Sequence, residues 1–382
     1  MRALAAGLVT LFFVTLGACQ EPTQRVAVTD LGRNTRTTGY PGHESHKGIT
    51  HDIILDNEII KYAIRYTVCA DQSHAPRVVP LEGYVGMPGP CACNWYHSGF
   101  LQIIVNGEDV GTYPLGDFSA IDSGERGMCR MVWEWPGGVV RLSFVLDPGK
   151  RYLKSQILIR PSGDVKSISL RLRCYPSFFT AYHRREGKRE IVTPELVVNQ
   201  GEDKTLPGEK GWWALYQDAV FDVARGEGEG PCGLVFLPAQ VESVRFRPGS
   251  YAVETELAVK PSERDIRLGL MEFPGVPNAD ALKFLKDSAA EILADLTVTD
   301  FRPRLLWAIN LDEEARELES LIAKANLGGE EAAKFRNMLA EDRKAAEAAL
   351  AGDWRAETQV AKSLEQYRDA LWELKIAALF AE

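Results

Sequence analysis

Apolar and polar residues alternate with a period of two from about Ile49 to Phe273. Between Tyr62 and Val68, for example, every second side chain is large and apolar. This period is typical of strands that bury one face. Runs of the same kind recur at 101–105, 130–135, 139–146, 152–159, 168–174, 213–223, 234–237, 244–247, 251–259 and 266–273. Because no helical period separates these runs, the pattern predicts an antiparallel β-sandwich over residues 49–275.

Turn residues stand between several of these runs. Asn106-Gly107 favours a type I′ turn and therefore a hairpin over 101–113. Pro136-Gly137-Gly138 separates the runs 130–135 and 139–146, and Pro161-Ser162-Gly163-Asp164 separates 152–159 from 168–174. We therefore expect three hairpins, each of which pairs strands that are neighbours in the chain.

The pattern becomes helical after Phe273. Residues 279–296 predict one helix, and apolar residues follow spacings of three and four over 311–325 and 360–378. Gly328-Gly329 and Gly352 are expected to separate helices. We predict that residues 276–382 form a helical hairpin or a three-helix unit, which makes the chain α+β. The alternative for these apolar stripes is a surface for self-association or for a partner.

The first eighteen residues have the pattern of a signal peptide. Arg2 precedes an apolar stretch that is too short to span a bilayer as a helix. The stretch ends in Leu16-Gly17-Ala18-Cys19, which resembles the lipobox of bacterial lipoproteins. The resemblance implies cleavage after Ala18 and attachment of fatty acyl chains, such as palmitate, to Cys19, which would hold the protein at a membrane. An ordinary signal peptide followed by an unmodified cysteine is the alternative.

The polar stretch after the lipobox predicts a tether. Residues 19–48 contain several Gly and Pro residues, which favours a lipid-bearing linker and a loop that leads into the sandwich. Gln20 follows Cys19 in place of the aspartate that marks inner-membrane retention in some bacteria. We therefore expect a lipid-anchored protein of the cell envelope, at the outer membrane or a membrane that faces the periplasm.

Charge and cysteine content narrow the classes of function. The chain has a net charge of −9, which disfavours nucleic acid as a partner because phosphate binding needs a basic surface. The sequence has no glycine-rich nucleotide loop, and we expect no cofactor. Beyond Cys19, an even number of cysteines permits three disulfides in an exported chain, although one of them, Cys174, is in phase with apolar neighbours and could be a buried thiol. These cysteines are Cys69, Cys91, Cys93, Cys129, Cys174 and Cys232.

The segment Thr50-His51-Asp52-Ile53-Ile54-Leu55-Asp56-Asn57-Glu58-Ile59-Ile60-Lys61-Tyr62 places a short acidic and Asn turn between two apolar runs. Together with the strands that follow, it resembles the start of galactose-mutarotase-like β-supersandwich proteins, which are carbohydrate-active. The resemblance covers about Ile49 to Phe273. It implies a supersandwich fold and sugar binding on a concave sheet lined with aromatic, His, Arg and carboxylate side chains. No His and Glu of this chain align with that family's catalytic pair, so the resemblance does not imply catalysis.

Two His-containing stretches are candidates for chemistry. In Cys91-Ala92-Cys93-Asn94-Trp95-Tyr96-His97 the thiols and imidazole could hold a metal, but the spacing is not that of a zinc module and we predict no metal site. Disulfides from this loop are favoured instead. Trp95 is a candidate sugar platform and His97 a catalytic candidate, and the alternative is a loop packed over the core. The second group, His43, His46 and His51, is expected to be solvated surface histidines.

A third candidate combines arginines with a following polar loop. Arg171 and Arg173 alternate with apolar residues and should therefore share the solvent face of a strand. Tyr182, His183 and Arg184 follow in the loop, so the set could bind an anionic saccharide, with Arg holding a carboxylate and His183 or Tyr182 moving a proton. The alternative is a solvent-facing arginine ladder beside an ordinary loop.

Trp212 and Trp213 complete the predicted ligand-binding set. Neighbours on a strand face opposite sides, so at least one of them leaves the core side. We predict a membrane-anchored exported lipoprotein that recognises carbohydrate through its sandwich. The alternatives are a lyase or epimerase on the same scaffold, using His183, Tyr182 or His97, and a structural envelope protein that acts through its C-terminal helices.

The lipobox interpretation predicts the behaviour of one variant. Cys19→Ser removes the thiol that would receive the lipid, so the precursor should accumulate uncleaved and without lipid. Metabolic labelling with a radioactive fatty acid, followed by immunoprecipitation, measures this. Normal labelling of the Cys19→Ser protein would show that Cys19 is not the anchor.

Overall fold

The computed structural model describes residues 25–37, 47–69, 83–92, 94–177, 188–225, 229–304, 311–351 and 353–380. This part of the chain contains nineteen strands followed by four α-helices. The strands are β1 Ala27–Thr37, β2 Lys47–Asp56, β3 Lys61–Cys69, β4 Tyr84–Gly89, β5 Leu101–Val105, β6 Glu108–Asp109, β7 Leu115–Asp122, β8 Gly127–Trp135, β9 Gly138–Leu146, β10 Leu153–Pro161, β11 Ile168–Cys174, β12 Arg189–Val192, β13 Val197–Asn199, β14 Lys204–Pro207, β15 Trp213–Asp218, β16 Cys232–Phe236, β17 Val241–Pro248, β18 Val253–Val259 and β19 Asp265–Glu272. The helices are α1 Asn278–Val298, α2 Leu311–Lys324, α3 Gly329–Leu350 and α4 Trp354–Phe380.

The strands form two antiparallel sheets. The first sheet has ten strands in the order β1-β2-β3-β4-β5-β11-β18-β17-β14, with β6 paired to β5. The second sheet has nine strands in the order β13-β12-β15-β16-β19-β10-β9-β8-β7. The predicted α+β class, a large antiparallel sandwich followed by helices, is confirmed.

The main core lies between the two sheets because each contributes one apolar face. Ile53 and Leu55 of β2 are completely buried, as are Leu142 and Phe144 of β9 on the second sheet. Burial of this kind stabilises the fold by about 25 cal/mol per Å² of apolar surface removed from water. The sandwich therefore needs no helix to complete its interior.

The helices contact the second sheet. The apolar stripe of α1 packs on the outer face of β15, β16 and β19, where Trp213 and Met271 are buried. The stripe consists of Ala281, Leu285, Ala289, Ile292 and Leu296. The helices α2, α3 and α4 form a three-helix unit with a core of its own, and α4 touches β7. The predicted three-helix unit is therefore α2–α4, while α1 belongs to the sandwich.

A buried ion cluster joins the three-helix unit to the second sheet. Glu357 of α4 accepts hydrogen bonds from Arg130 of β8 and, at 3.1 and 2.9 Å, from Nη1 of Arg141 of β9. All three side chains are buried. Burial lowers the pKa of Arg130, and the charge of Glu357 opposes that shift. One buried carboxylate thus pairs with two guanidinium groups that are themselves buried.

The two sheets are also tied at the end of the β2–β3 hairpin. The side-chain amide of Asn57 donates to the carbonyls of Asp147 and Lys150, at 2.8 and 2.7 Å, in the connection between β9 and β10. The hydroxyl of Tyr62 donates to the carbonyl of Arg151 at 2.8 Å. The Asn turn that carries the family resemblance therefore fastens one sheet to the other.

Two sequence expectations differ from the structure. The strand β1 lies inside the stretch 19–48 that we assigned to the tether; it is an edge strand with most of its side chains exposed, so it lacks the alternation that identified the others. The strands β10 and β11, expected to form a hairpin, lie in different sheets. The turn at 161–164 is thus a crossing between sheets, which local pattern does not distinguish from a hairpin turn.

Cys129, Cys174 and Cys232 are buried thiols without a disulfide. Among the described residues, none of the helices combines the length and apolar character that crossing a membrane requires.

The ion cluster predicts a stability change. Glu357→Ala removes the carboxylate that pairs with two buried arginines and should lower the free energy of unfolding by about 3–5 kcal/mol, measured by urea denaturation. Glu319 of α2 offers a matched control, because its pair with Arg336 is exposed. Glu319→Ala should cost no more than about 1 kcal/mol. Equal losses in the two variants would show that the buried cluster has no special role.

Candidate functional site

The outer face of the first sheet carries rows of charged side chains. Alternation on β11 buries Ile168, Leu170 and Leu172 and turns Arg171 and Arg173 outward, as predicted. The neighbouring strands β18 and β17 place carboxylates and further arginines on the same face. Cross-strand pairing sets Arg171 beside Glu256, Arg173 beside Glu254, and Glu254 beside Arg247.

Glutamates of β18 balance these arginines. Nη2 of Arg173 lies 2.9 Å from one oxygen of Glu254, and Nη2 of Arg247 lies 3.0 Å from the other. Arg171 is different, because its nearest carboxylate oxygen, on Glu256, is 3.7 Å away. Within the described part of the chain Arg171 donates no hydrogen bond, and its side chain is 52% exposed. The face is therefore one of mixed charge, with Arg171 as its least compensated cation.

Two adjoining cavities form a groove over these rows. The first, of about 380 Å³, is lined by Tyr84, Gln102, Asp109 and Arg171, among others. The second, of about 560 Å³, lies over the β17–β18 turn. Arg173, Arg247 and Glu254 line both cavities. Volumes of this size suit small ligands or a few sugar units.

Three tyrosines pack together beside the groove and are called the tyrosine wall here; two of them, Tyr175 and Tyr251, line the second cavity. The ring centroids of Tyr96 and Tyr175 are 4.5 Å apart, and those of Tyr175 and Tyr251 are 4.6 Å apart. The guanidinium carbon of Arg173 lies 5.7 Å from the Tyr96 ring centroid. Tyr175 is buried between its neighbours, whereas Tyr251 is 55% exposed and offers its surface to the groove. Burial raises the pKa of Tyr175, so its hydroxyl stays protonated at physiological pH.

A carboxylate of the second sheet positions the tyrosine wall. Oε2 of Glu272, at the end of β19, accepts from the backbone N–H of Cys91 at 2.7 Å, and Oε1 accepts from that of Trp95 at 2.9 Å. The next residue, Tyr96, donates its own N–H to the carbonyl of Arg173 at 3.1 Å. Glu272 therefore fixes the loop that places the Tyr96 ring beside Arg173.

Glu272 is completely buried, and its surroundings determine its ionisation. Burial raises the pKa of Glu272 well above its ordinary value of 4.5, although the N–H groups of Trp95 and Cys91 oppose the shift. The backbone N–H of Glu272 donates to the Tyr62 hydroxyl at 3.3 Å. The Glu272 carboxyl group is thus buried among polar groups between the sheets and is not exposed in the groove.

The predicted site residues that the structure describes differ in whether they line the groove. Arg171 and Arg173 line the groove, as described above. His97 lies at its edge but bonds its own loop, because Nδ1 donates to the carbonyl of Ala92 at 2.8 Å. Burial lowers the pKa of His97, which favours the neutral ring. His51, of the predicted surface cluster, pairs with Asp30 at 2.6 Å instead of joining the groove.

The three tryptophans lie away from the groove. Trp95 is completely buried, and its indole N–H donates to the carbonyl of Met271 at 3.0 Å. Trp213 is buried under α1 on the second sheet, and Trp212 packs against the core beside it. The structure therefore does not bring these rings together with Arg171. The two adjacent tryptophans both pack against apolar residues, because α1 lies on the outer face of their sheet.

The remaining candidates lie outside the described residues. These are Tyr182, His183 and Arg184 of the loop after β11, His43 and His46 of the leading segment, Cys93, and the lipidation candidate Cys19. Among the described residues no cluster of His, Cys, Asp and Glu could hold a metal ion.

Sequence reasoning missed several residues of the groove. Arg245 and Arg247 alternate with buried Val244 and Phe246 in the same way that Arg171 and Arg173 do. That signal was available, since paired arginines on one strand and paired glutamates on the next predict a charged sheet face. The pairing of Tyr175 with Tyr251 had no local signal, because distant parts of the chain bring the two rings together.

Comparison with known proteins gives similarity to solved structures only. No protein-family model matches the sequence, and no curated protein matches it. A Klebsiella pneumoniae protein, assigned provisionally as an aldose 1-epimerase, is similar over 71% of this chain and 97% of its own, at 7% identity and a TM-score of 0.38. An α-N-acetylgalactosaminidase from Bifidobacterium bifidum matches 64% of this chain and 38% of its own, at 7% identity and a TM-score of 0.39. A GH36 α-galactosidase from Geobacillus stearothermophilus matches 58% of this chain and 40% of its own, at 8% identity and a TM-score of 0.34.

The raised pKa of Glu272 predicts a pH dependence of stability. The fold favours the protonated Glu272 carboxyl, which therefore contributes its full stabilisation below the unfolded-state pKa, near 4.5. This stabilisation is lost as the pH rises toward the folded-state pKa. Glu272→Gln cannot ionise. The free energy of unfolding of the wild type, relative to this variant, should fall as the pH rises from 4 to about 8, measured by urea denaturation.

Glu319 supplies a control of opposite sign. Its exposed carboxylate pairs with Arg336, which lowers its pKa, so the wild type relative to Glu319→Gln should gain stability as the pH rises through the acidic range. Parallel profiles for the wild type and Glu272→Gln would contradict the assignment of a shifted pKa to Glu272.

Proposed function

We propose that the protein is an exported lipoprotein, anchored through Cys19, that binds a saccharide in the groove on the outer face of its first sheet. The observation that carries the proposal is the tyrosine wall beside Arg173. Exposed aromatic rings give a sugar an apolar surface, while neighbouring charged groups and amides bind its hydroxyls. Tyr251 supplies the exposed ring here, beside Tyr175, and Arg173, Arg247 and Glu254 supply the polar groups.

The charge distribution favours an acidic saccharide. Arg173 and Arg247 share the single carboxylate of Glu254, so this trio keeps a net positive charge. Arg171 keeps its guanidinium directed to the first cavity with only a distant carboxylate partner. A guanidinium in that state binds a carboxylate or sulfate through two parallel hydrogen bonds. We therefore expect uronic acid or sulfated units to bind more tightly than neutral ones.

Glu254 gives the site its geometry. By accepting from two arginines of flanking strands, it holds both guanidinium planes on the boundary between the cavities. A ligand that spans both cavities would cross this row and reach Tyr251 at one end and Arg171 at the other. The site thus fits an oligosaccharide better than a single sugar.

Truncation of the groove should weaken binding without unfolding the protein. A glycan array with the chain lacking residues 1–19 identifies a ligand, and titration calorimetry then measures its affinity. Arg171→Ala should reduce the affinity for an acidic saccharide about tenfold or more, since a charge-assisted hydrogen bond is worth roughly 1.5–3 kcal/mol. Tyr251→Ala should reduce it about two- to tenfold through loss of the ring contact.

Two variants of the three-helix unit serve as matched controls. Arg336→Ala removes an exposed, ion-paired arginine, and Trp372→Ala removes an exposed aromatic ring, both far from the groove in the chain's architecture. Neither should change the affinity. Loss of binding in the controls but not in the groove variants would move the site to the helices, and conversion of the saccharide to a product would make the protein an enzyme instead.

A further inference from the structure

Two buried thiols meet between the sheets. Cys174 ends β11 of the first sheet, and Cys232 begins β16 of the second. They are 1% and 0% exposed, and the backbone N–H of Ser177, three residues after Cys174, donates to the carbonyl of Gly230, two residues before Cys232, at 3.1 Å. The thiols therefore have each other as neighbours across the interface of the sandwich.

Hydrogen bonding beside the thiols shows that the sheets approach closely at this point. Tyr216 is the cross-strand partner of Cys232, and its hydroxyl lies 2.9 Å from Oγ1 of Thr255. Thr255 belongs to β18, which pairs with β11 along the strand that ends at Cys174. The Tyr216 and Thr255 side chains thus bridge the two sheets beside the thiols.

A buried guanidinium lies next to the two thiols. Arg189 is completely buried and makes one ion pair, in which its Nη1 lies 3.1 Å from Oδ2 of Asp218. Its Nε and Nη2 have no hydrogen-bond partner in the described part of the chain. The positive charge acts on both sulfurs and opposes the burial that raises the pKa of Cys232. Arg189 therefore reduces part of the cost of deprotonating Cys232, and the thiolate is the form that reacts in disulfide exchange.

We propose that Cys174 and Cys232 form a disulfide that links the two sheets when the chain folds in an oxidising compartment. The two thiols lose their protons and a Sγ–Sγ bond forms between them. The two electrons pass to the disulfide of a thiol–disulfide oxidoreductase or of oxidised glutathione, which is reduced to two thiols. The oxidising compartment rests on the export in the proposed function, whereas formation of the disulfide does not depend on the saccharide groove.

The link would close the chain from Cys174 to Cys232 and restrict the unfolded state. A loop of that length should raise the melting temperature by roughly 5–15 °C. It would also hold β11, which carries Arg171 and Arg173, against the second sheet. The remaining buried thiol, Cys129 of β8, should stay reduced.

Mass spectrometry tests the link directly. The chain lacking residues 1–19 is refolded from denaturant with a mixture of reduced and oxidised glutathione, its free thiols are alkylated, and it is digested without reduction. The expected product is one pair of peptides joined through Cys174 and Cys232, lighter by two hydrogen atoms than the sum of the reduced peptides, with Cys129 alkylated. The same pair should appear in full-length protein recovered from the cell envelope.

Single variants separate the disulfide from mere packing. Cys174→Ala and Cys232→Ala should each abolish the difference in melting temperature between oxidised and reduced protein, and Cys129→Ala should keep it. Alkylation of both Cys174 and Cys232 in correctly refolded, oxidised protein would overturn the proposal, as would a link from either to another cysteine. If the disulfide forms in glutathione but is absent from protein made in the cell, the proposed export is contradicted, whereas the ability of Cys174 and Cys232 to form the disulfide is confirmed.

Discussion

The carboxyl group of Glu272 is the interaction on which the candidate site depends. It belongs to the second sheet, is completely buried, and accepts hydrogen bonds from two backbone N–H groups of a loop on the first sheet. A buried polar group of this kind is costly unless its partners are present, so the loop and the strand stabilise each other. Through Trp95 and Tyr96 the contact reaches Arg173, and the groove is thereby ordered from the opposite side of the sandwich.

The two sheets differ in what their outer faces contact, because the helices lie against the second sheet. α1 and the three-helix unit contact strands of the second sheet, and their docking buries Arg130 and Arg141 around Glu357. On the first sheet, cross-strand Arg and Glu pairs remain at least partly exposed and border the two cavities. A sheet face that none of the described helices covers, with paired charges and tyrosine rings in tilted contact, is suited to a polar ligand with apolar ring faces.

Much of the fold could be predicted from the sequence, because alternation reports which face of a strand is buried. It identified the sandwich, the exposure of Arg171 and Arg173, and the helical segment after Phe273. It did not identify β1, whose side chains are mostly exposed, nor the separation of β10 from β11, which only packing between sheets decides. The signal for the site was weaker, since the sequence alone does not show that distant residues meet.

The central claim is that the groove between Arg171 and Tyr251 binds a saccharide. A crystal structure of the chain lacking residues 1–19, soaked with the acidic oligosaccharide that binds most tightly on an array, tests it most directly. The account predicts a sugar ring against Tyr251 and a carboxylate or sulfate within hydrogen-bond distance of Arg171. A saccharide bound on the second sheet or among the helices, with the groove empty, would contradict it.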